Sequence, residues 1–229
     1  MADVLGELQA HLDATVFQND RPLILEAGCG SGSHIQIPGD AHVTGIDISP
    51  AELDKNTIVS VKIVGDIQTY RLPQNSFDMI VCWDVLEHLK NPKAALESFF
   101  DAIKPGGVMV LAFPNVYSVK GIVAKFTPLW FHEFVYRRIY GQKFGQPGLE
   151  NFPTFLKWDI GPRRIEGFAK AKQLSIEFMK MRESGVQARF REKIKLRGFS
   201  LDLVEVLVRI FSLGQLSFKD SDCIFVLRK

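Results

Sequence analysis

The sequence predicts an α/β fold, a mostly parallel β-sheet with helices packed on both faces. Two observations carry the prediction. Short apolar runs alternate with helical or polar connectors through the first half of the chain. Glycines and acidic residues stand at the ends of those runs, where strands of such a sheet present groups to a ligand.

The elements follow in order. "VLGELQAHLDATV", Val4 to Val16, has apolar residues at helical spacing and reads as a lead-in helix. "LILEAG" is a short buried strand, "HVTGID" ending at Asp47 a second, and "VSVKIVGD" ending at Asp66 a third. "FDMIVCW", Phe77 to Trp83, is the fourth. "NPKAALESFFDAI" is a helix, with Asn91 as N-cap and Pro92 at its first position. "KPGG" is its stop and turn, and "VMVLAFP", Val108 to Pro114, the fifth strand. Beyond Asn115 the pattern loosens. Residues 116–161 read as an insertion or cap with a helix or two, "RRIEGFAKAKQ" as a helix and Leu174 to Met181 as a strand. Residues 182–218 form a second helical excursion, and "SDCIFVLRK" is a closing strand. The whole, 1–229, is expected to be one domain around a core at 20–115.

Composition agrees. With 229 residues, 46% of them hydrophobic, the chain has ample material for one core. Charged residues at 24% exclude a disordered or fibrous class. The net charge of +2 points to no nucleic acid or other polyanion, but the charge is unevenly spread. Residues 1–112 hold 7 Lys/Arg against 15 Asp/Glu, and residues 113–200 hold 17 against 7. The basic, aromatic-rich segment is either a solvated helical surface or a face for an anionic acceptor or lipid surface. Cys29, Cys82 and Cys223 lie in or beside apolar runs and show no metal-ligand spacing, so buried free thiols are expected. Reduced thiols and the lack of a signal-peptide pattern lead us to expect a cytoplasmic location. No uncharged apolar run approaches the ~18 residues of a membrane span.

The stretch "ILEAGCGSG", Ile24 to Gly32, has the spacing G-x-G-x-G. A dinucleotide loop needs G-x-G-x-x-G and a phosphate loop needs a following Gly-Lys; neither is present. Glu26 stands just before the loop and would repel a pyrophosphate, so a ligand with a cationic end is expected. Asp47, at the end of the second strand, suits two ribose hydroxyls; otherwise it caps the "SPAEL" helix. Asp66 suits an exocyclic amine of adenine; otherwise it forms a turn.

With "VTGIDIS", "GDIQTYRLPQNSFDMIVCWDVLEHL" and "KPGGVMVLAFPN" in this order and spacing, the chain resembles the class I S-adenosylmethionine-dependent methyltransferases over residues 22–115. It is most similar to the quinone-biosynthesis and natural-product group. The resemblance implies a Rossmann-like, seven-stranded sheet whose last strand is antiparallel and slotted beside the fifth. It implies S-adenosylmethionine as cofactor and a small-molecule acceptor. Glu26 with Gly28, Cys29, Gly30 and Gly32 would hold the methionine end, and Asp47 with Ile48 the ribose. Asp66 and Ile67 would frame the adenine, and Cys82–Trp83 would close over the ligand. One departure is the short "SHIQIPGDA" after Gly32, where the family usually has a longer helix.

Methyl transfer gains chiefly from alignment of acceptor, methyl and leaving sulfur, and a hydroxyl acceptor also needs a base. "DVLEHL" follows the fourth strand and supplies Asp84, Glu87 and His88. His88 is the candidate base; the alternative is that it only orders a helix start. An Asp84–Glu87–His88 metal site is a third reading, but no remote ligand completes it, and no metal is expected. No "NPPY"-like motif and no Pro-Cys pair follow the fourth strand, which argues against an adenine amine or a pyrimidine as acceptor. Tyr117, His132, Glu133, Tyr136 and Tyr140 either reach the cleft from the insertion or belong to the core.

"LDLVEVLVRIFSLG", Leu201 to Gly214, is strongly apolar. It is buried under the sheet, paired in a homodimer, or laid on a membrane as a peripheral contact. The acceptor expected is a hydroxyl of a hydrophobic, lipid-linked or sugar-containing metabolite. The alternatives are C- or N-methylation, or binding of the cofactor without transfer.

Overall fold

The computed structural model describes residues 3–18, 20–127 and 160–229. Its centre is one seven-stranded sheet in the order β3-β2-β1-β4-β5-β7-β6. The strands are β1 (Leu23–Ala27), β2 (His42–Asp47), β3 (Val61–Val64), β4 (Phe77–Trp83), β5 (Ile103–Pro114), β6 (Ser175–Arg182) and β7 (Asp222–Arg228). The first five run parallel, and β7 lies antiparallel between β5 and β6. That is the arrangement expected from the resemblance, down to the last strand slotted beside the fifth.

Side chains on a strand alternate between its two faces, so each apolar run supplies two cores. Leu25, Ile80, Leu111, Phe113 and Phe225 build one, under α3 (Pro92–Ala102) and α5 (Pro162–Ala171). Ile24, Met79, Val81, Val110 and Val226 build the other, against α1 (Val4–Thr15) and α2 (Pro50–Lys55). Phe113 and Phe225 stack at 5.9 Å, joining β5 to β7. The helix starts are local chemistry. Asn91 accepts from the Ala94 amide at the head of α3, Pro92 follows it, and Ser49 caps α2.

Two details differ from expectation. The third strand is only Val61–Val64, so Asp66 lies beyond its end. "KPGG" is not a turn before the fifth strand but a bulge inside it: Phe77 pairs with Ile103, then the register jumps to Met79 with Val108. Gly106 at φ +80° permits that bulge, and Lys229 closes over it through bonds with Gly106 and Gly107. After Gly32 the chain passes through turns to Ala41 with no helix, as the short connector implied.

Beyond β5, α4 (Val119–Phe126) begins the expected insertion; the rest of it, 128–159, lies outside the described residues. The second excursion contains α6 (Gly185–Lys193) and α7 (Phe199–Phe211). No helix among the described residues is long and apolar enough to cross a membrane. All three cysteines are free and buried.

Candidate functional site

A cavity of about 760 Å³ opens at the carboxyl ends of β1, β2 and β4. From β1 the chain builds outward to β2 and β3, then returns to place β4 on its other side. Such a switch point leaves a crevice beyond the strand ends.

The glycine loop forms its floor. Gly28 and Gly30 have φ of +72° and +47°. A Cβ on Gly28 would fall 2.3 Å from a Val85 methyl, so this glycine lets the loop pass under the β4 connector. A Cβ on Gly30 or Gly32 would meet nothing within 4 Å. These glycines leave open space for a ligand to approach the backbone. Behind the loop, the buried Asn56 donates to the carbonyls of Gly30 (3.0 Å) and Cys29 (3.4 Å) and accepts from the amides of Ile58 and Val59. Sequence reasoning missed this clamp, because a lone Asn at a helix end reads as an ordinary turn residue. The Cys29 thiol packs behind β2 and is pushed up to about 12, by burial first and then by Asp47 and Glu26. It is no nucleophile.

Two carboxylates flank the loop. Glu26 is only 4% exposed and accepts a hydrogen bond from the Ser33 hydroxyl. Burial raises its pKa to about 7 despite that bond. Asp47 accepts from the Gly30 amide (2.9 Å) and the Ser49 amide (2.8 Å). The cap of α2 is Ser49, so Asp47 is free of that duty, and it ties β2 to the loop on the cavity wall. A carboxylate has about four acceptor positions, so two remain.

Further along the wall, Asp66 accepts from the backbone and side-chain amides of Gln68 (2.8 and 3.0 Å), and the Gln68 carbonyl accepts from Asn91 at 2.7 Å. Gln68, also missed in the sequence, fastens Asp66 to the start of α3. Ile48 and Ile67 line the same region, Ile48 exposed and Ile67 buried. Trp83 lines the cavity with His34 stacked on it at 5.1 Å and the Arg182 guanidinium 5.7 Å from its ring. Burial lowers the His34 pKa, which favours the neutral imidazole. Cys82 does not line the cavity: neighbouring residues of a strand face opposite ways, and its side chain is buried in the α3-side core.

The β4 connector divides the expected chemical residues. Asp84, at φ +53°, and His88 line the cavity. Glu87 does not: it is buried, and its Oε2 has no hydrogen-bond partner. Burial, then Asp84, pushes its carboxyl well up. His88 ends a 3-10 turn, Leu86–His88, and its amide donates to Val85. Burial between the cleft walls, and then Asp222, holds the Asp84 carboxyl above its ordinary value. Asp222 in turn pairs with Lys120 at 3.0 Å and Arg182 at 3.7 Å. Those three come from α4, β6 and β7, so no local motif could have announced them. Among the described residues no group of three or more His, Cys, Asp or Glu could hold a metal ion. Tyr117 packs against the core. His132, Glu133, Tyr136 and Tyr140 lie outside the described residues.

The donor set fits the expected cofactor: two open glycines, a buried carboxylate for a cationic end and a half-used carboxylate for vicinal hydroxyls. A model of the methyltransferase-domain family matches residues 4–151. The chain is 34% identical over 101 residues to the mitochondrial ubiquinone biosynthesis O-methyltransferase of Schizosaccharomyces pombe, covering 39% of this chain and 36% of that protein. It is 32% identical over 99 residues to phosphoethanolamine N-methyltransferase 1 of Arabidopsis thaliana, covering 39% and 20%. It thus spans well under half the length of these two relatives. In three dimensions it resembles a SAM-dependent methyltransferase from Archaeoglobus fulgidus, with TM-score 0.54, 17% identity and coverage of 98% and 94%. It also resembles the [4+2]-cyclase SpnF, with TM-score 0.55, 15% identity and coverage of 97% and 80%. At these identities the likeness is one of fold.

Proposed function

The chain belongs to the methyltransferase-domain family, with the fold of the class I S-adenosylmethionine-dependent enzymes, and from that premise we propose that it methylates a small molecule. The acceptor group in this reading is a hydroxyl of a hydrophobic, lipid-linked or sugar-containing metabolite. The observation that carries methyl transfer from S-adenosylmethionine is the placing of Glu26 and Asp47 on the cavity wall to either side of the glycine loop.

Glu26, with Ser33, holds the ammonium of the methionine end, and Gly28 to Gly32 give their backbone to its carboxylate side. Asp47 accepts from the ribose hydroxyls while Ile48 covers the sugar. Asp66, set by Gln68, takes the adenine amine, and Ile67 packs beside the base. When bound, the cofactor supplies an electrophilic sulfonium methyl. The chain's own part is to align an acceptor with that methyl and to keep water away. Trp83 walls the transfer region. His88 accepts the acceptor's proton and Asp84 faces the same space. Glu87 supports the turn from beneath and Cys82 the strand; neither touches a ligand.

N-methylation is the second reading, favoured by the name of the phosphoethanolamine relative and by Asp84 on the cavity wall, whose carboxylate suits a cationic amine. Binding without methyl transfer is the third, favoured by the likeness to a cyclase of the same fold. The reading places the chain in the cytoplasm, alone or as a homodimer, at the edge of a membrane where a hydrophobic acceptor is met.

Calorimetry with S-adenosylmethionine, followed by transfer of a labelled methyl group into a cell extract, tests the proposal. Labelled, base-stable product extractable into organic solvent is expected. Binding without label in any product would leave the third reading, and no binding would end all three.

A further inference from the structure

Helix α7 carries apolar residues outward as well as inward, where Leu201, Val204 and Val208 are half-buried. Its buried polar residue is Glu205, which accepts from the amides of Phe218 (2.7 Å) and Lys219 (3.1 Å), the Ser217 hydroxyl (3.1 Å) and Arg209 (2.6 Å). A carboxylate so fully bonded pins the helix firmly to the segment before β7. The opposite face is apolar and faces outward. Phe199, Leu203, Val206 and Ile210 follow one another at helical spacing, and all are exposed. Phe199 is 83% exposed, Phe211 84% and Leu213, just beyond the helix, 87%. A contiguous apolar face of this kind marks a contact surface.

The residues leading into it identify the contact. "RFREKIKLR", Arg189 to Arg197, holds five basic residues against one acidic, Glu192; Arg191 is tied to Glu183 at 2.9 Å, while Lys195 and Arg197 stand exposed with Ile194. A second copy of the chain is a poor occupant: a two-fold contact that sets the start of one α7 beside the end of the other offers the basic stretch only residues 212–219, none of them acidic. An anionic bilayer satisfies both features: headgroups take the basic stretch and acyl chains take the apolar face. Position agrees. The segment that holds Glu205 is bonded to the residues just after β5: Val119 donates to Ser217, and the Asn115 side chain donates to Asp220. So α7 sits on the carboxyl edge of the sheet, the edge on which the cavity opens.

We propose that α7 and the basic stretch before it dock this protein onto the surface of an anionic lipid bilayer. The surface is distinct from the cavity and stands whether or not methyl transfer is the activity. The test is co-flotation of the full chain with vesicles of phosphatidylcholine alone, or of phosphatidylcholine mixed with phosphatidylserine, at physiological ionic strength. Recovery with the mixed vesicles only is expected, and added salt should weaken it. Lys195→Gln with Arg197→Gln should lower partitioning roughly 25-fold, at roughly fivefold for each basic side chain near such a surface. Phe199→Ser with Phe211→Ser should abolish it while the thermal melt stays in place, since both side chains are already in solvent. No recovery on either vesicle, or equal recovery on both, would overturn the proposal. So would a dimer by light scattering, in place of flotation, that the Phe199→Ser/Phe211→Ser variant splits.

Discussion

In the proposed reading the Glu26 carboxyl, with little water around it, must ionise near neutrality to serve its ligand. Its pKa in the folded chain is about 7, against 4.5 when unperturbed, so the folded state holds the extra proton between those values. Its contribution to stability is therefore greatest at low pH and declines as pH rises from about 4.5 to about 7, by about 3 kcal/mol at most. Glu26→Gln should raise the melting temperature at pH 8 and leave it unchanged at pH 4. A cationic ligand reverses the preference, because it binds the ionised form. Affinity for S-adenosylmethionine should fall as pH drops below about 7, up to tenfold per unit, and calorimetry on Glu26→Gln should show weak binding without that slope. Asp47→Ala should weaken cofactor binding about 10- to 100-fold by loss of charge-assisted bonds. Titration giving an unchanged Kd would remove Asp47 from the site. His88→Ala should lower turnover about 10²- to 10⁴-fold at unchanged cofactor affinity if it takes the proton; equal turnover would leave it a structural role. That Glu26, Asp47 and His88 line the cavity was legible, because Glu26 and Asp47 close strands beside a glycine loop and His88 follows in the β4 connector. Ser33, His34 and Asn56 were not, since what they do depends on where the chain folds back rather than on their neighbours in sequence.

Among the elements, the glycine loop separates two duties by position. Gly28→Ala sets a Cβ against Val85 in a left-handed backbone, and should cost about 2–4 kcal/mol of stability from strain and overpacking together. Gly30→Ala meets open space, so its cost to the fold should be only about 1–2 kcal/mol. Its loss should appear in cofactor binding instead. Urea midpoints and calorimetry on both variants check the division; equal losses in both readouts would refute it. The parallel strands and α3 were readable because period and capping agree along "FDMIVCWDVLEHLKNPKAALESFF". The bulge at "KPGG" was not, because Gly-rich turns and Gly-permitted bulges share the same letters, and only pairing with Phe77 and Lys229 tells them apart. For α7 the sequence left burial, pairing and membrane contact open: apolar periodicity reports that a face exists, not which way it turns.

For the molecule as a whole, β7 decides how the halves hold together. It pairs along Val108–Pro114 of β5 and along β6, and Phe225 stacks on Phe113. Phe225→Ala should cost about 3–5 kcal/mol, and a single thermal transition should move as a unit, by circular dichroism and by intrinsic fluorescence alike. Two separated transitions would show that the halves are independent. The position of β7 also has a consequence in time. Everything that lines the glycine loop is made before Pro114, yet the edge of β5 has to wait through residues 115–221 for its neighbour. Until then a long apolar strand, Val108–Phe113, stands uncovered on that side, the kind of edge that recruits strands from other chains. Synthesis of this protein thus includes an interval in which the cofactor half can form while its border remains sticky. A nascent chain halted in that interval is the species a chaperone would be expected to hold.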